Sequence, residues 1–167
     1  MRLNYLTNII MAKIDVGSIP VYSTSQFGGT RTLIDYSNPA EKDGKITSVE
    51  IYTGDNSITG LKVAIFKDNG GGSFTATNVV TIGNVASGAK RTFDVDLDIL
   101  IGEYIGCYFP TGSLSSPPTG GNGIYFTENG NDKTETTATY SFLSDYYLSL
   151  YGSGETVEVG GDFLQMF

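Results

Sequence analysis

The sequence predicts an all-β protein, and three observations support this fold class. Apolar and polar residues alternate strictly over residues 93–109. The chain is rich in Gly (22 residues), Tyr (11) and Phe (9) and poor in helix-forming runs. Turn sequences recur between short apolar segments, a spacing typical of sandwiches and barrels. We therefore expect an antiparallel β-sandwich, jelly-roll-like, with an Ig-like sandwich as the second possibility because the cysteine pair and tryptophan of true Ig domains are absent.

The length of 167 residues fits one domain with its own core. We predict a short N-terminal arm over residues 1–13 and a β-sandwich over residues 14–167. Leu3, Leu6, Ile9 and Ile10 would share one face if the arm forms a short helix. An apolar arm of this kind is a candidate contact with a neighbouring subunit.

The strongest strand signal lies in residues 93–109, which read FDVDLDILIGEYIGCYF. Apolar residues alternate with aspartates before the break at residues 101–103, and with tyrosine or glycine after it. Because successive side chains of a strand point to opposite faces, the pattern predicts two strands around a short corner. Their sheet is expected to be packed on one side only.

Other strands are predicted where short apolar runs are bounded by Gly, Asn, Asp or Pro. Pro20 limits the first of them to a sheet edge or a strand end. Turns are predicted at residues 43–44, 68–73 and 152–154. In chain order, the predicted strands are residues 14–22, 30–36, 46–53, 61–66, 79–82, 90–98, 103–109, 124–127, 139–142, 147–151, 155–159 and 163–167.

A long loop of Gly, Pro, Ser and Thr is predicted over residues 110–123, which read PTGSLSSPPTGGNG. Loops of this length in compact domains often carry function or contacts with partners. This loop is therefore a second candidate subunit contact, beside the N-terminal arm.

Charge and composition argue against several function classes. The net charge of −8 disfavours binding to nucleic acid, and no apolar run is long enough for a membrane helix. The chain has no histidine, which removes His-based catalysis and most zinc sites. Cys107 is the single cysteine and is expected to be buried in a strand. We expect no enzyme activity, no cofactor and no metal.

Asp94, Asp96 and Asp98 are predicted to lie on one strand face, about 7 Å apart. A calcium ion needs oxygens that converge at about 2.3–2.6 Å, which a straight strand does not supply. A solvated face that resists aggregation is the favoured interpretation. Loop calcium sites near Asp68 or over residues 129–135 are weaker alternatives, since neither has EF-hand spacing.

Tyrosines on the presumed outer strand faces are the candidate interface or ligand surface. Exposed rings of this kind stack on sugars, form an interface, or are covered by loops or a second sheet. Tyr104 and Tyr108 flank Gly106 on one face and are the preferred pair for a glycan. The full candidate set is Tyr52, Tyr104, Tyr108, Tyr147 and Tyr151.

Four segments together resemble a β-sandwich module of uncharacterised phage and environmental viral structural proteins. They are ITSVEIYTG, LKVAIFKDNGGGSF, FDVDLDILIGEYIGCYF and YYLSLYGSG, and the resemblance covers residues 44–154. Its most recognisable parts are GEYIG at residues 102–106 and LSLYG at residues 148–152. The resemblance implies capsid-decoration, head-fibre or tail-associated roles, and it carries no catalytic residues.

These observations predict a virion structural protein that acts by protein–protein assembly, as a capsid-decoration, accessory or tail-associated protein. Its expected partners are other virion proteins and itself, in a homo-oligomer for which a trimer is preferred. Its expected place is the surface of the extracellular particle, after assembly in the host cytoplasm. Two alternatives remain: a carbohydrate-binding module or adhesin, and a self-assembling filament subunit joined by strand insertion.

Overall fold

The computed structural model describes residues 9–128 and 130–159, and within them the side chains of residues 11–128 and 130–156. The described chain is all-β, as predicted. Its strands, in chain order, are β1 (Ile9–Gly17), β2 (Gln26–Gly28), β3 (Arg31–Asp35), β4 (Gly44–Tyr52), β5 (Ile58–Gly70), β6 (Ser73–Val85), β7 (Lys90–Ile99), β8 (Tyr104–Phe109), β9 (Ser113–Ser115), β10 (Ile124–Phe126), β11 (Thr137–Thr139), β12 (Ser141–Leu143) and β13 (Leu150–Val159).

The strands form two main antiparallel sheets and one small ribbon. A four-stranded sheet has the order β1-β13-β4-β7, and a seven-stranded sheet has the order β11-β6-β5-β8-β3-β10-β12. The ribbon pairs β2 with β9. The antiparallel, layered all-β architecture confirms the predicted fold class, while the jelly-roll assignment stays a prediction.

The seven-stranded sheet curls until it is almost a closed barrel. Four strand spacings separate β6 from β10, which would be about 19 Å in a flat sheet. Yet the rings of Phe74 on β6 and Tyr125 on β10 have centroids 4.7 Å apart. The edge strands β11 and β12 are joined by Tyr140 alone, whose N–H donates to the Gly72 carbonyl at 2.9 Å. The face that carries Phe74 is therefore the inner face of the curl.

The main core lies between the two sheets and follows the predicted alternation. Phe93, Val95, Leu97 and Ile99 point toward it from β7, and Ile105, Cys107 and Phe109 point toward it from β8. Large aliphatic side chains from both sheets complete it; the fully buried ones include Leu33, Ile46, Ile51, Ile58, Leu61 and Ile65. Burial of each such side chain contributes about 1.5–3 kcal/mol of hydrophobic stabilisation.

A second, smaller core fills the curl of the seven-stranded sheet. Its buried members are Ile34, Ala64, Phe66, Phe74 and Tyr140. Tyr36, Tyr104 and Tyr125 pack against them and stay partly exposed. The sheet is thus covered on both faces, so the prediction of a sheet packed on one side only is wrong for the strand at residues 104–109.

The predicted corner at residues 101–103 connects the two sheets rather than two strands of one sheet. β7 is an edge strand of the four-stranded sheet, whereas β8 lies in the middle of the seven-stranded sheet. Alternation reports which face of a strand is buried, but not which sheet the strand joins.

The turn predicted at residues 152–154 is wrong, because β13 runs through it without a break. A bulge between Ser153 and Gly154 interrupts the register with β4. A Cβ on Gly154 would collide with the Lys45 backbone of the neighbouring strand. Gly154 therefore allows the two backbones to approach closely at a bulge. In sequence, a glycine with this role cannot be told from a glycine in a turn.

Two further segments differ from expectation. Residues 9–13 belong to β1 and pair with β13, so no helix forms there; residues 1–8 lie outside the described part. The predicted loop at 110–123 contains β9, and Ser113–Ser115 and Ser116 are buried. Its exposed residues are Pro110 and Thr111 at the start, the tip at residues 118–120, and Asn122. The last predicted strand, residues 163–167, also lies outside the described residues.

Among the described residues, no helix is long and apolar enough to cross a membrane.

Candidate functional site

The five candidate tyrosines do not form one surface. Tyr104 and Tyr108 point into the curl of the seven-stranded sheet, as their register with Phe66 and Lys62 on β5 requires. Tyr52 and Tyr151 lie on the solvent face of the four-stranded sheet. Tyr147 lies in the loop before β13, where its N–H donates to the Pro117 carbonyl at 3.3 Å.

Tyr104 is part of a packed aromatic cluster. Its ring stacks on Tyr36 with centroids 4.5 Å apart and planes 17° from parallel, and Phe74 meets it edge-on at 6.2 Å. Tyr36 also donates its hydroxyl to Asp68 at 3.1 Å. The hydrogen bond to Tyr104, followed by burial, raises the pKa of Tyr36. These rings occupy each other's faces, so Tyr104 offers little free ring for a sugar.

Tyr108 lies at the other end of the curl, beside a loop that covers this part of the sheet. Thr32, its partner on β3, donates its hydroxyl to the Asn131 carbonyl at 2.9 Å. Lys62, its partner on β5, forms an ion pair with Asp132 at 2.8 Å. The loop places its acidic residues on Lys62, and Tyr108 is partly buried.

Tyr151 borders an open groove of about 500 Å³ on the four-stranded sheet. Its hydroxyl donates to Asp15 at 2.9 Å. Burial, and then this hydrogen bond, raise the pKa of Tyr151 to about 12. Charges of both signs line the groove, including Lys13, Asp15, Glu41 and Glu155. This mixture favours no single class of ligand.

Tyr52 meets a residue that the sequence did not single out, Tyr22. The two rings have centroids 5.9 Å apart and planes inclined at 57°. Together with Gly54, Asp55, Ser87 and Gly88 they line an open groove of about 330 Å³. Tyr22 is 51% exposed. Tyr22 was predicted to end the strand at residues 14–22, whereas β1 ends at Gly17. Pro20 was the residue in this segment that indicated an early end of the strand.

The acidic strand face is solvated, as expected. Lys45 bridges Asp96 and Asp98, with the Asp98 oxygen 3.1 Å from its ammonium nitrogen. Asp94 is exposed and pairs in register with Ser48. Within the described ranges no three His, Cys, Asp or Glu residues converge as a metal site would require.

The turn between β7 and β8 displays two apolar side chains. Leu100 is 56% and Ile101 66% exposed. Two carboxylates hold the backbone beneath them: Glu103 accepts from the Leu100 N–H at 2.8 Å, and Asp43 accepts from the Ile101 N–H at 2.7 Å. Gly102 has φ +82°, which a type II turn needs at its third position.

The Leu100–Ile101 turn is further fixed from below. The Glu103 N–H donates to the Leu100 carbonyl at 3.1 Å, and the Gly102 N–H donates to the Ala40 carbonyl at 2.8 Å. Glu103 itself is buried. The turn is therefore an ordered apolar projection, whose exposed side chains find no cover within the described chain.

Comparisons with family models, with curated proteins and with solved structures give no match.

Proposed function

We propose that this protein is a virion structural subunit that acts by protein–protein assembly and without catalysis, as a capsid-decoration, accessory or tail-associated protein. The resemblance of residues 44–154 to viral structural modules supports the class of protein. The Leu100–Ile101 turn supports the mode of action, and it is the single structural observation that carries the proposed assembly.

Leu100 and Ile101 leave apolar surface in contact with water, and a partner that buried this surface would gain hydrophobic free energy. Complete burial of such a side chain is worth about 1.5–3 kcal/mol. Because the turn backbone is already held by Glu103 and Asp43, little conformational entropy would be lost when a partner covers it. An ordered apolar projection of this kind is typical of the centre of an interface rather than its rim.

We expect the partner to be a second copy of this chain, with a trimer as the favoured oligomer. The test is the molar mass in solution, measured by size-exclusion chromatography with light scattering over a range of concentrations. The wild-type chain should run as an oligomer. The double variant Leu100→Ser/Ile101→Ser should dissociate at a concentration at least about tenfold higher, from the loss of two buried apolar side chains.

Ile19→Ser is the matched control, because Ile19 is a 69% exposed isoleucine at the opposite end of the four-stranded sheet. It should assemble like the wild type. A wild-type chain that is monomeric at every concentration would contradict the proposal. Equal weakening by both variants would also contradict it, since that result indicates general apolar association rather than a defined interface.

A further inference from the structure

We propose that the groove between Tyr22 and Tyr52 binds a neutral pyranose sugar, with Asp55 as its hydrogen-bond acceptor. This site is separate from the assembly surface at Leu100 and Ile101. It lies at the opposite end of β4, about 26 Å away for a strand of this length. The two proposals therefore stand or fall independently.

The two rings supply a surface for the apolar face of a sugar. Their planes are inclined at 57° with centroids 5.9 Å apart, so they form the adjoining sides of a shallow trough. Tyr104 is stacked on Tyr36, whereas Tyr22 is an exposed residue whose ring meets only the tilted ring of Tyr52 among the described aromatic pairs. Aromatic rings with a polar tip are well suited to a ligand that is apolar on one side and polar at its edge.

Asp55 supplies the polar contact. Its Oδ1 accepts the Tyr22 hydroxyl at 2.9 Å, and no donor from the described residues bonds its Oδ2. The Asp55 N–H is held by the Gln26 side-chain oxygen at 3.0 Å, so the carboxylate has a fixed position at the rim of the groove. A carboxylate with a free oxygen accepts well from adjacent sugar hydroxyls.

The remaining walls are ordered and leave room for a ligand. The Ser87 N–H donates to the Ser57 hydroxyl oxygen at 3.0 Å, which ties the turn at residues 86–89 to the strand that follows Asp55. Gly88 has φ +90° and no heavy atom within 4 Å of the position that a Cβ would take. The segment that carries Tyr22 is anchored in turn, since Val21 exchanges two hydrogen bonds with the Ser149 hydroxyl. The groove is thus largely pre-formed, as small-molecule sites usually are.

Charge and shape select a neutral sugar over the other ligands that aromatic grooves take. None of the six lining residues is cationic; beside the groove, Lys90 is paired with Glu50 at 2.9 Å, and Arg91 donates to the Ala86 carbonyl at 3.4 Å. A phosphate or an acidic sugar would face Asp55 with no cation among the lining residues. A quaternary ammonium would need rings around it on several sides, whereas these two rings contact each other.

Saturation-transfer NMR and titration against methyl glucoside, methyl galactoside, methyl mannoside and N-acetylglucosamine test the proposal on the full-length protein. At least one of these sugars should bind the wild type with a millimolar dissociation constant. Tyr22→Ala should weaken that binding about tenfold or more, and Asp55→Ala should weaken it similarly. Tyr22→Phe should retain most of the affinity, because the stacking ring remains.

Tyr151→Ala is the matched control, since it removes a tyrosine of the same sheet face that also donates to an aspartate. It should bind like the wild type. The proposal is overturned if none of the four sugars binds, or if Tyr22→Ala binds as well as the wild type. Preferential binding of choline or of N-acetylneuraminic acid would overturn it as well. Far-UV circular dichroism checks that each variant is folded. If Tyr22→Ala is not folded, Asp55→Ala decides the test, since unchanged sugar binding by that variant also overturns the proposal.

Discussion

Asp35 is a buried carboxylate that accepts hydrogen bonds from two separate loops. It lies at the end of β3, fully buried, and its carboxylate accepts from the Ser37 N–H at 2.8 Å and from the Leu148 N–H at 3.0 Å. Burial raises the pKa of Asp35 despite these hydrogen bonds. The side chain ties the loop before β13 to the seven-stranded sheet.

Asp35→Ala is expected to lower the free energy of unfolding by about 2 kcal/mol or more, because two backbone N–H groups lose their acceptor and one of them is buried. Urea denaturation measures the change. Asp94→Ala, at an exposed position of β7, is the control and should change stability by less than about 0.5 kcal/mol. Similar small effects for both variants would show that the Asp35 contacts do not matter for stability.

Cys107 is buried as its place on the apolar strand face predicted. Burial, with a smaller effect from the charge of Asp35, raises the pKa of the thiol from 9.0 to about 12. We expect no reaction with a thiol reagent at about pH 8 in the folded protein, and full reaction after denaturation. Rapid labelling of the native chain would contradict the buried position.

The same pKa shift has a consequence for stability. The unfolded thiol loses its proton near pH 9, whereas the folded thiol keeps it until about pH 12. The contribution of the neutral thiol to stability is therefore complete below pH 9 and is lost as the pH rises toward 12. In Cys107→Ala, the free energy of unfolding, measured by urea denaturation, should therefore fall less steeply between pH 9 and 12 than in the wild type.

Among the strands, β8 shows most clearly why one face could be predicted and the other could not. Ile105, Cys107 and Phe109 point into the main core, as alternation indicated. Tyr104 and Tyr108 were expected to be at the surface, but β8 is a central strand of a curled sheet. The Tyr36 ring covers Tyr104, and the loop around Asn131 and Asp132 lies beside Tyr108. Local alternation does not report how far a sheet curls.

Gly106 is the position on β8 where the curl leaves no space. A Cβ there would lie 2.8 Å from the Phe66 ring and closer still to the Leu33 carbonyl oxygen. Gly106→Ala is therefore expected to cost about 1–3 kcal/mol of stability or to prevent folding. Thermal and urea unfolding measure this loss.

Gly28→Ala is the control for that substitution, because a Cβ on Gly28 meets no heavy atom within 4 Å and its backbone needs no positive φ. It should leave the unfolding midpoint almost unchanged. An equally small effect of Gly106→Ala would contradict the close packing of β8 against β3 and the Phe66 ring.

In the whole molecule, β13 links the two ends of the chain to its middle. It lies between β1 and β4 in the four-stranded sheet, so it pairs with residues that precede it by 99 to 150 positions. The core between the sheets contains residues from both of them, among them Leu150 on β13 and Ile105 on β8. The two sheets are expected to be a single cooperative unit.

A single unfolding transition is the test of this expectation. Far-UV circular dichroism follows the strands, and tyrosine fluorescence follows the packing of the rings, among them those in the curl of the seven-stranded sheet. The two should give the same urea midpoint, and a chain truncated after Ser149, which lacks β13, should not fold. Separate midpoints would mean that the curled sheet is stable without the four-stranded sheet.

What could be predicted from the sequence is what local patterns encode. Alternation placed the core faces of β4, β7 and β8 correctly, because the burial of every second side chain follows directly from strand geometry. The all-β class and the buried Cys107 followed in the same way, as did the solvated face at Asp94, Asp96 and Asp98.

The open tyrosine groove depended on the tertiary structure. Tyr22 and Tyr52 are 30 positions apart and meet because Val21 is anchored on Ser149, near the start of β13. Tyr104 was the preferred ligand residue from sequence, yet the curl of its sheet brings Tyr36 onto it. Which ring is covered is decided by pairing between distant strands, and a local sequence pattern carries no record of that pairing.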